Sequence, residues 1–260
     1  MAYNNVNYNT EGNVGILTID RPKAMNALNT ETIGEIRSVL SSVKADSGIR
    51  ALIITGSGQK AFVAGADIGE IKGLGLEDGF DFLRAGHQMN QDVESLSIPT
   101  IAVVNGLALG GGCELALSCS LRIVSESAKL GLPELGLGVI PGYGGTQRLP
   151  RLIGKGQALW YLLTGDMIDA AKAVDLGLAN MMVKPEELME RALKVAGKIA
   201  GKAPMAVKMA LTAVKYGLET DLETGLVLET ALASLTVASE DKNEGISAFF
   251  EKRKPEYKGK

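Results

Sequence analysis

A segment rich in glycine and apolar residues, Ile98 to Leu149, most constrains how this chain can fold. It begins with Thr100–Val104, a β-branched run typical of buried parallel strands, which Asn105-Gly106 ends. Glycines 110–112 follow and let the backbone approach a ligand closely. A helix is predicted over Cys113 to Ser118, and its first N–H groups lack partners inside the helix. We therefore expect a strand, a glycine turn and a helix start that favours negative charge.

This segment carries two carboxylates, Glu114 and Glu134, among glycines and apolar residues. Leu115-Ala116-Leu117 follows the first, which suggests burial, although a helix dipole alone also explains a glutamate there. Glu134 follows Pro133 at the predicted first turn of another short helix. Two carboxylates in different environments are suited to divide acid and base roles. Twenty positions separate them, so only the tertiary fold could bring them together.

The chain before this segment is predicted to form a βαβ unit. Val14–Ile19 is interpreted as a strand, and Thr30 as the N-cap of a helix that continues to about Asp46. Ala51–Thr55 then resembles a buried parallel strand. Gly56 to Gly65 is predicted to be a loop, without the spacing of a phosphate-binding loop.

Helices are predicted to dominate the remainder of the chain. One is expected from about Asp81 to Leu96 and carries His87, the only histidine, so a His-rich metal site is excluded. Another, over Gly154 to Gly165, carries Trp160, which we expect in the core or an interface. One further strand is possible at residues 180–183, among these predicted helices: Asp169–Leu176, Pro185–Ala200, Pro204–Tyr216, Asp221–Val237 and Lys242–Arg253.

Charge and cysteine content limit the classes of partner. With 27 basic and 30 acidic residues, the net charge is -3, and no basic stripe indicates nucleic acid or an anionic membrane. Cys113 and Cys119 have no zinc-ligand spacing and cannot form a disulfide framework. Neither a targeting segment nor an apolar run of membrane-spanning length is visible, so we expect a cytoplasmic protein.

Five motifs together resemble the crotonase, or enoyl-CoA hydratase, superfamily, and within it the hydratase branch. They are spread over nearly the whole chain, which makes the match specific: DRPKAMNAL (20–28), AFVAGADI (61–68), NGLALGGGCELALSC (105–119), LPELGLGVIPGYGGTQRL (132–149) and AFFEKRKPEYK (248–258). The resemblance implies an α/β fold, a crotonase-like spiral of ββα units, with the active site in residues 1–190. Residues 191–260 would form a C-terminal helical trimerisation region, giving a homotrimer or a hexamer built as a dimer of trimers.

The resemblance also implies a reaction, the reversible syn hydration of short-chain trans-2-enoyl-CoA to 3-hydroxyacyl-CoA, as in fatty acid β-oxidation. The backbone N–H groups of Ala66 and Gly111 would form an oxyanion hole, where such donors contribute roughly 3 kcal/mol each. Glu114 would activate the water delivered to C3, and Glu134 would handle the proton at C2. The acyl-CoA thioester would be the substrate, and neither a cofactor nor a metal would be needed.

Further residues match positions that contact coenzyme A or substrate in the family. Lys23, Ala24 and the loop 64–68 would border coenzyme A, and Phe249 and Lys252 would reach the site of a neighbouring subunit. The full set of matching positions is Lys23, Ala24, Leu28, Ala64, Asp67, Ile68, Gly110, Pro133, Gly142, Phe249 and Lys252. Lys252 also begins the densest basic run of the chain, which the sequence without the resemblance would assign to a solvated helix face.

The chain departs from the family pattern at Gly69, where many relatives have lysine, at Leu132 in place of glutamine, and at Ser120 in place of aspartate. The first puts one phosphate contact in doubt, and the second would alter acyl preference without removing a catalytic group. Isomerases of the superfamily can function with one carboxylate, so Glu114 and Glu134 together favour a hydratase. Another acyl-CoA enzyme, or an RNA-binding or interaction protein, remains an alternative.

Overall fold

The computed structural model describes residues 3–260, which form two sheets covered by helices. The strands are β1 Val6–Glu11, β2 Val14–Ile19, β3 Ala51–Gly56, β4 Ala61–Val63, β5 Thr100–Val104, β6 Leu107–Leu109, β7 Leu121–Ser125, β8 Lys129–Gly131, β9 Ile168–Asp169 and β10 Met181–Val183. The larger sheet has the order β1-β2-β3-β5-β7-β10 and is parallel except for β1. The smaller sheet has the order β4-β6-β8-β9, with only β9 antiparallel.

Helices separate these strands and make up the C-terminal part of the chain. They are α1 Thr30–Ala45, α2 Ile68–Ile71, α3 Leu76–Glu94, α4 Gly111–Ser118, α5 Gly145–Ile153, α6 Lys155–Thr164, α7 Ala170–Asp175, α8 Leu188–Ala200, α9 Pro204–Gly217, α10 Leu222–Val237 and α11 Glu240–Glu251. Short 3-10 helices occur at Pro22–Ala24, Glu134–Leu137 and Pro185–Glu187.

The elements repeat as a spiral in which each turn adds one strand to each sheet. β3 is followed by β4 and then by α2 and α3; β5 is followed by β6 and α4; β7 is followed by β8 and, after a 3-10 helix, α5. This confirms the predicted α/β spiral of ββα units. The predicted βαβ unit is also confirmed, because β2, α1 and β3 follow one another and the two strands pair in parallel.

Strands β3 and β5, at the centre of the larger sheet, are buried on both faces, and the alternation of their side chains decides which helix each residue meets. Leu52 and Ile54 of β3 belong to a cluster that includes Ile36 and Leu40 of α1. Ile53, between them, belongs to a second cluster with the alanine face of α8. The central strands are therefore almost entirely apolar, as expected for a parallel sheet covered on both sides.

The C-terminal helices differ from the core helices in burial. Helices α9 and α10 contain no buried residue, and the two helices with the turn between them expose many apolar side chains: Val214, Leu218, Leu222, Leu226, Val227, Leu235 and Val237. The predicted boundary near residue 190 falls inside α8, which packs on the sheet. The division into 1–190 and 191–260 stays a prediction. Within residues 3–260 no single helix suffices to cross a bilayer; α10 and α11 meet the length and hydropathy criteria only as a pair, and they are bent by 69°.

Two local predictions were wrong. Thr30 is not the N-cap of α1, because Asn29 Oδ1 accepts the hydrogen bond from Thr32 N at 2.9 Å and Thr30 is already helical. The segment Gly56 to Gly65 is not only a loop, since it contains β4. A strand of three residues is too short to show a periodic pattern, and β4 is stabilised by its pairing with β6.

The helix predicted from about Asp81 begins earlier, at Leu76, and ends at Glu94. Glu77 and Asp78 in its first turn favour a helix start at this point. The only histidine and the only tryptophan of the chain both lie at the surface. His87 is exposed, and Trp160 is 60% exposed and therefore not a core residue.

Candidate active site

The start of α4 is built of glycines because the backbone of β4 lies directly against it. Gly110, the N-cap, has φ 50° and ψ -125°, a conformation that favours glycine. A Cβ placed on Gly112 would overlap the Val63 carbonyl oxygen and lie 2.6 Å from Val63 Cβ. Any side chain at Gly112 would therefore separate α4 from β4.

Two backbone N–H groups meet beside this helix start. Ala66 N lies 3.5 Å from the position that a Cβ on Gly111 would occupy. Leu28 forms hydrogen bonds with the two neighbours of Ala66 in the chain. The Leu28 N–H donates to Gly65 O at 2.9 Å, and the Leu28 carbonyl accepts from Asp67 N at 2.8 Å. Within the described part of the chain, neither the Ala66 N–H nor the Gly111 N–H has an acceptor. The fold thus leaves two adjacent donors free for a ligand.

Glu114, in the first turn of α4, is buried and held by backbone donors. Its side chain is 1% exposed, and its Oε1 accepts hydrogen bonds from Tyr143 N at 2.7 Å and Gly145 N at 2.6 Å. Burial raises the pKa of Glu114, while these two hydrogen bonds and the charge of Arg148 oppose that rise. The burial predicted from the apolar sequence around Glu114 is confirmed.

Glu134 opens the 3-10 helix Glu134–Leu137 and lies against the N-cap of α4. Its Oε1 is 3.0 Å from the position of a Cβ on Gly110, and its Oε2 is buried without a hydrogen-bond partner among the described residues. Burial raises the pKa of Glu134 to about 7, and the charge of Glu114 adds to this rise. The fold therefore brings the two carboxylates to the same helix start from positions far apart in sequence.

The loop that holds Glu114 is itself fixed by residues that the sequence did not single out. Tyr143 O accepts hydrogen bonds from Asn90 Nδ2 at 3.0 Å and Arg148 Nη1 at 2.8 Å. Arg148 forms a two-point ion pair with Glu94, at 2.6 and 2.9 Å. From α9, Lys215 Nζ donates to Glu94 O at 3.1 Å. The glycines in PGYGG were the only sequence sign of this arrangement.

The segments expected to border coenzyme A lie side by side. The turn that contains Lys23 and Ala24 meets the loop 64–68, because Ala64 N donates to Met25 O at 3.1 Å. Asp67 caps α2 through Gly69 N at 3.1 Å and pairs with Arg21 at 3.2 Å. The lysine that many relatives carry would therefore stand at the first turn of α2.

The other predicted contact residues fall into two groups. Pro133 and Gly142 lie at the two ends of the segment 133–142, which contains Glu134 and is called here the carboxylate segment. Ile68 is exposed at the start of α2. Phe249, on α11, is 79% exposed, and Lys252 ends that helix with φ 55°. No hydrogen bond or ion pair of the described residues joins either of these two to the site. Their contact with a neighbouring subunit stays a prediction.

The two remaining departures from the family pattern have structural roles. Leu132 is buried, and its Cδ1 lies 2.9 Å from the position of a Cβ on Gly145, next to Glu114. Ser120 Oγ accepts from Thr100 N at 3.2 Å, which joins the end of α4 to β5. Within residues 3–260 no group of three His, Cys, Asp or Glu side chains could hold a metal ion.

A family profile described as enoyl-CoA hydratase/isomerase matches residues 9–260. The chain belongs to this family. It is 45% identical over 257 residues to a crotonyl-CoA hydratase of Syntrophomonas wolfei, with 99% of each chain covered. It is 46% identical to a short-chain-enoyl-CoA hydratase of Clostridium acetobutylicum, with 98% of each covered. The crystal structure of an enoyl-CoA hydratase from Bacillus anthracis superposes with a TM-score of 0.97 at 40% identity, covering 99% of this chain and 100% of that one.

Membership of the enoyl-CoA hydratase/isomerase family confirms the resemblance found in the sequence. The motifs that carry the resemblance span the regions that build the site: the turn after β2, the loop after β4, the start of α4 and the carboxylate segment before α5. The roles of the individual residues stay predictions.

The raised pKa of Glu134 predicts a pH-dependent cost in stability. Between its ordinary pKa of 4.5 and about 7, the folded chain binds a proton that the unfolded chain has lost. The contribution of Glu134 to the free energy of unfolding is therefore fully present below pH 4.5 and is lost as the pH rises through 7. Glu134→Gln should unfold with a free energy higher than wild type by on the order of 2 kcal/mol at pH 8, but by little at pH 5.

Urea unfolding of both proteins at the two pH values measures this difference, because all other titrating groups are common to both. Glu126→Gln, at an exposed carboxylate, is the matched control for the loss of one negative charge. An equal difference between Glu134→Gln and wild type at pH 5 and pH 8 would contradict the assignment of a raised pKa.

Proposed function

We propose that this protein is a hydro-lyase that reversibly hydrates short-chain trans-2-enoyl-CoA to 3-hydroxyacyl-CoA. The observation that carries the proposal is the start of α4, where two unpaired N–H groups adjoin two buried or partly buried carboxylates with raised pKa values. Two relatives that are 45% and 46% identical to this chain are named as hydratases, which supports the same reaction. The pair of carboxylates favours a hydratase over an isomerase of the same family.

In the proposed mechanism, the thioester carbonyl accepts hydrogen bonds from the N–H groups of Ala66 and Gly111. Enolate charge builds on that oxygen in the transition state, where each donor contributes roughly 3 kcal/mol. The donors belong to the backbone of a packed helix start and a paired segment, so they need no reorganisation during the reaction.

The two carboxylates divide the proton transfers. Glu114, whose ionised form two N–H groups stabilise, removes a proton from the water whose oxygen bonds to C3. The π electron pair of C2=C3 moves toward C2 and the thioester, and Glu134, protonated, gives its proton to C2. A proton then returns from Glu114 to Glu134 before the next turnover. Because both groups hold one water at one face of the double bond, the addition is syn, and dehydration reverses each step.

The same proposal includes the surroundings of the site. Lys23, Ala24 and the loop 64–68 bind coenzyme A, and the reaction uses no cofactor because it moves only protons and water. The exposed apolar faces of α9 and α10 support assembly through the C-terminal helices into a homotrimer or a dimer of trimers, in which Phe249 and Lys252 reach a neighbouring site. We place the enzyme in the cytoplasm.

The test is the loss of conjugated-thioester absorbance when the purified protein meets crotonyl-CoA. We expect rapid loss and a product with the mass of 3-hydroxybutyryl-CoA. No loss with enoyl-CoA esters of any length would overturn the hydratase proposal. If the protein instead converts 3-enoyl-CoA to 2-enoyl-CoA without adding water, the isomerase branch of the family is indicated.

A further inference from the structure

The side chain of Tyr143 fills the space between α3 and α4 beside the two free donors. A Cβ on Gly86, in α3, would overlap the Cδ1, Cε1 and Cζ side of its ring. On the opposite side, ring atoms Cδ2 and Cε2 lie 2.9 and 3.0 Å from the position of a Cβ on Gly111. Ala66 N is 3.5 Å from that same position. The ring is therefore packed between two glycines, one of which, Gly111, carries one of the two free N–H groups.

The ring is fixed as well as confined. Tyr143 is 2% exposed, its N–H donates to Glu114, and its carbonyl accepts from Asn90 and Arg148. Phe82 supports it from α3, with ring centroids 6.1 Å apart. A side chain confined in this way can move little to make room for a longer acyl chain.

The hydroxyl of Tyr143 adds an independent observation. It is buried and has no hydrogen-bond partner among the described residues. An unpartnered buried hydroxyl is costly, and a phenylalanine would fill the same space without that cost. The closest approaches to α3 and α4 are made by carbon atoms of the ring, which phenylalanine also has.

We propose that the Tyr143 ring sets the acyl-length limit of this site, so that it accepts four-carbon acyl chains and rejects chains of about eight carbons. The inference rests on the proposed function, because it places the thioester carbonyl at Ala66 and Gly111. With the carbonyl there, the ring occupies the space next to the reacting carbons toward the interior of the molecule. Each methylene that a pocket admits or excludes is worth roughly tenfold or more in discrimination.

The first experiment measures binding without turnover. Butyryl-CoA and octanoyl-CoA are saturated thioesters, so their Kd values can be determined by calorimetry whether or not the protein is a hydratase. We expect wild type to prefer butyryl-CoA, and Tyr143→Ala to shift the octanoyl-to-butyryl affinity ratio toward octanoyl-CoA by about tenfold or more. Tyr143→Phe is the matched control, which keeps the ring and should keep the wild-type ratio.

Tyr143→Leu covers the case in which Tyr143→Ala does not fold, and it should shift the ratio in the same direction by less. A second readout is the ratio of kcat/KM for trans-2-octenoyl-CoA to that for crotonyl-CoA, which should change in parallel. A wild type that binds both saturated esters equally, or folded alanine and leucine variants with an unchanged ratio, would overturn the inference. Absence of hydration with altered binding ratios would overturn only the proposed reaction.

Discussion

Glu134→Gln should lower kcat for crotonyl-CoA hydration by about 100-fold or more and leave the affinity for CoA esters largely intact. The amide cannot deliver the proton to C2, whereas the Ala66 and Gly111 donors that bind the carbonyl are unchanged. Glu114→Gln should have a loss of similar size, because the amide cannot accept the proton of the attacking water. Stopped-flow absorbance with crotonyl-CoA gives kcat, and calorimetry with butyryl-CoA gives affinity.

The control for both variants is Glu126→Gln, at an exposed carboxylate, which should keep wild-type kcat. Parallel losses of affinity and turnover in the two site variants would mean that Glu114 and Glu134 hold the fold and do not carry the chemistry. Circular dichroism of each variant separates this outcome from a specific loss of proton transfer.

Gly112→Ala should destabilise the protein by about 3 kcal/mol and abolish its activity. The added Cβ would overlap the Val63 carbonyl oxygen, a backbone atom that cannot move without displacing β4. Relief therefore requires α4 to withdraw from the smaller sheet, which separates the Gly111 donor from Ala66. Urea unfolding measures the first effect, and crotonyl-CoA hydration measures the second.

Gly34→Ala provides a matched glycine control. Gly34 also lies inside a helix, α1, but it is exposed and nothing lies within 4 Å of its Cβ position. Alanine there should leave activity unchanged and stabilise the chain by about 0.5–1 kcal/mol, through helix propensity alone. If both substitutions had equal effects on stability, the close contact between α4 and β4 would not matter to the fold.

The sequence predicted those parts of the molecule that have a local pattern. Thr100–Val104 is a long enough apolar run to be identified as a buried strand, and the apolar residues after Glu114 correctly indicated its burial. β4 was missed because a three-residue strand is defined by its partner strand. Asn90 was missed for a related reason, because its role depends on contact with the Tyr143 carbonyl, 53 positions away.

Much of the site geometry has no signature in residue type. The groups that hold Glu114 are backbone N–H groups, which every residue except proline possesses, so only the course of the chain shows which of them are used. Gly145 indicated that another group lies close to the backbone there, but the sequence did not show that this group is the Glu114 carboxylate. The contacts of Phe249 and Lys252 were predicted only from the resemblance, and one chain cannot show them, since their proposed partners belong to another subunit.

The two unpaired donors at Ala66 and Gly111 have a consequence for mutational scanning of this protein. Replacement by alanine leaves a backbone N–H in place, and Ala66 is already alanine, so a conventional scan cannot remove either donor. It can only disturb them indirectly, as Gly112→Ala would by moving the helix start. Replacing a single amide with an ester by chemical synthesis removes the donor and nothing else.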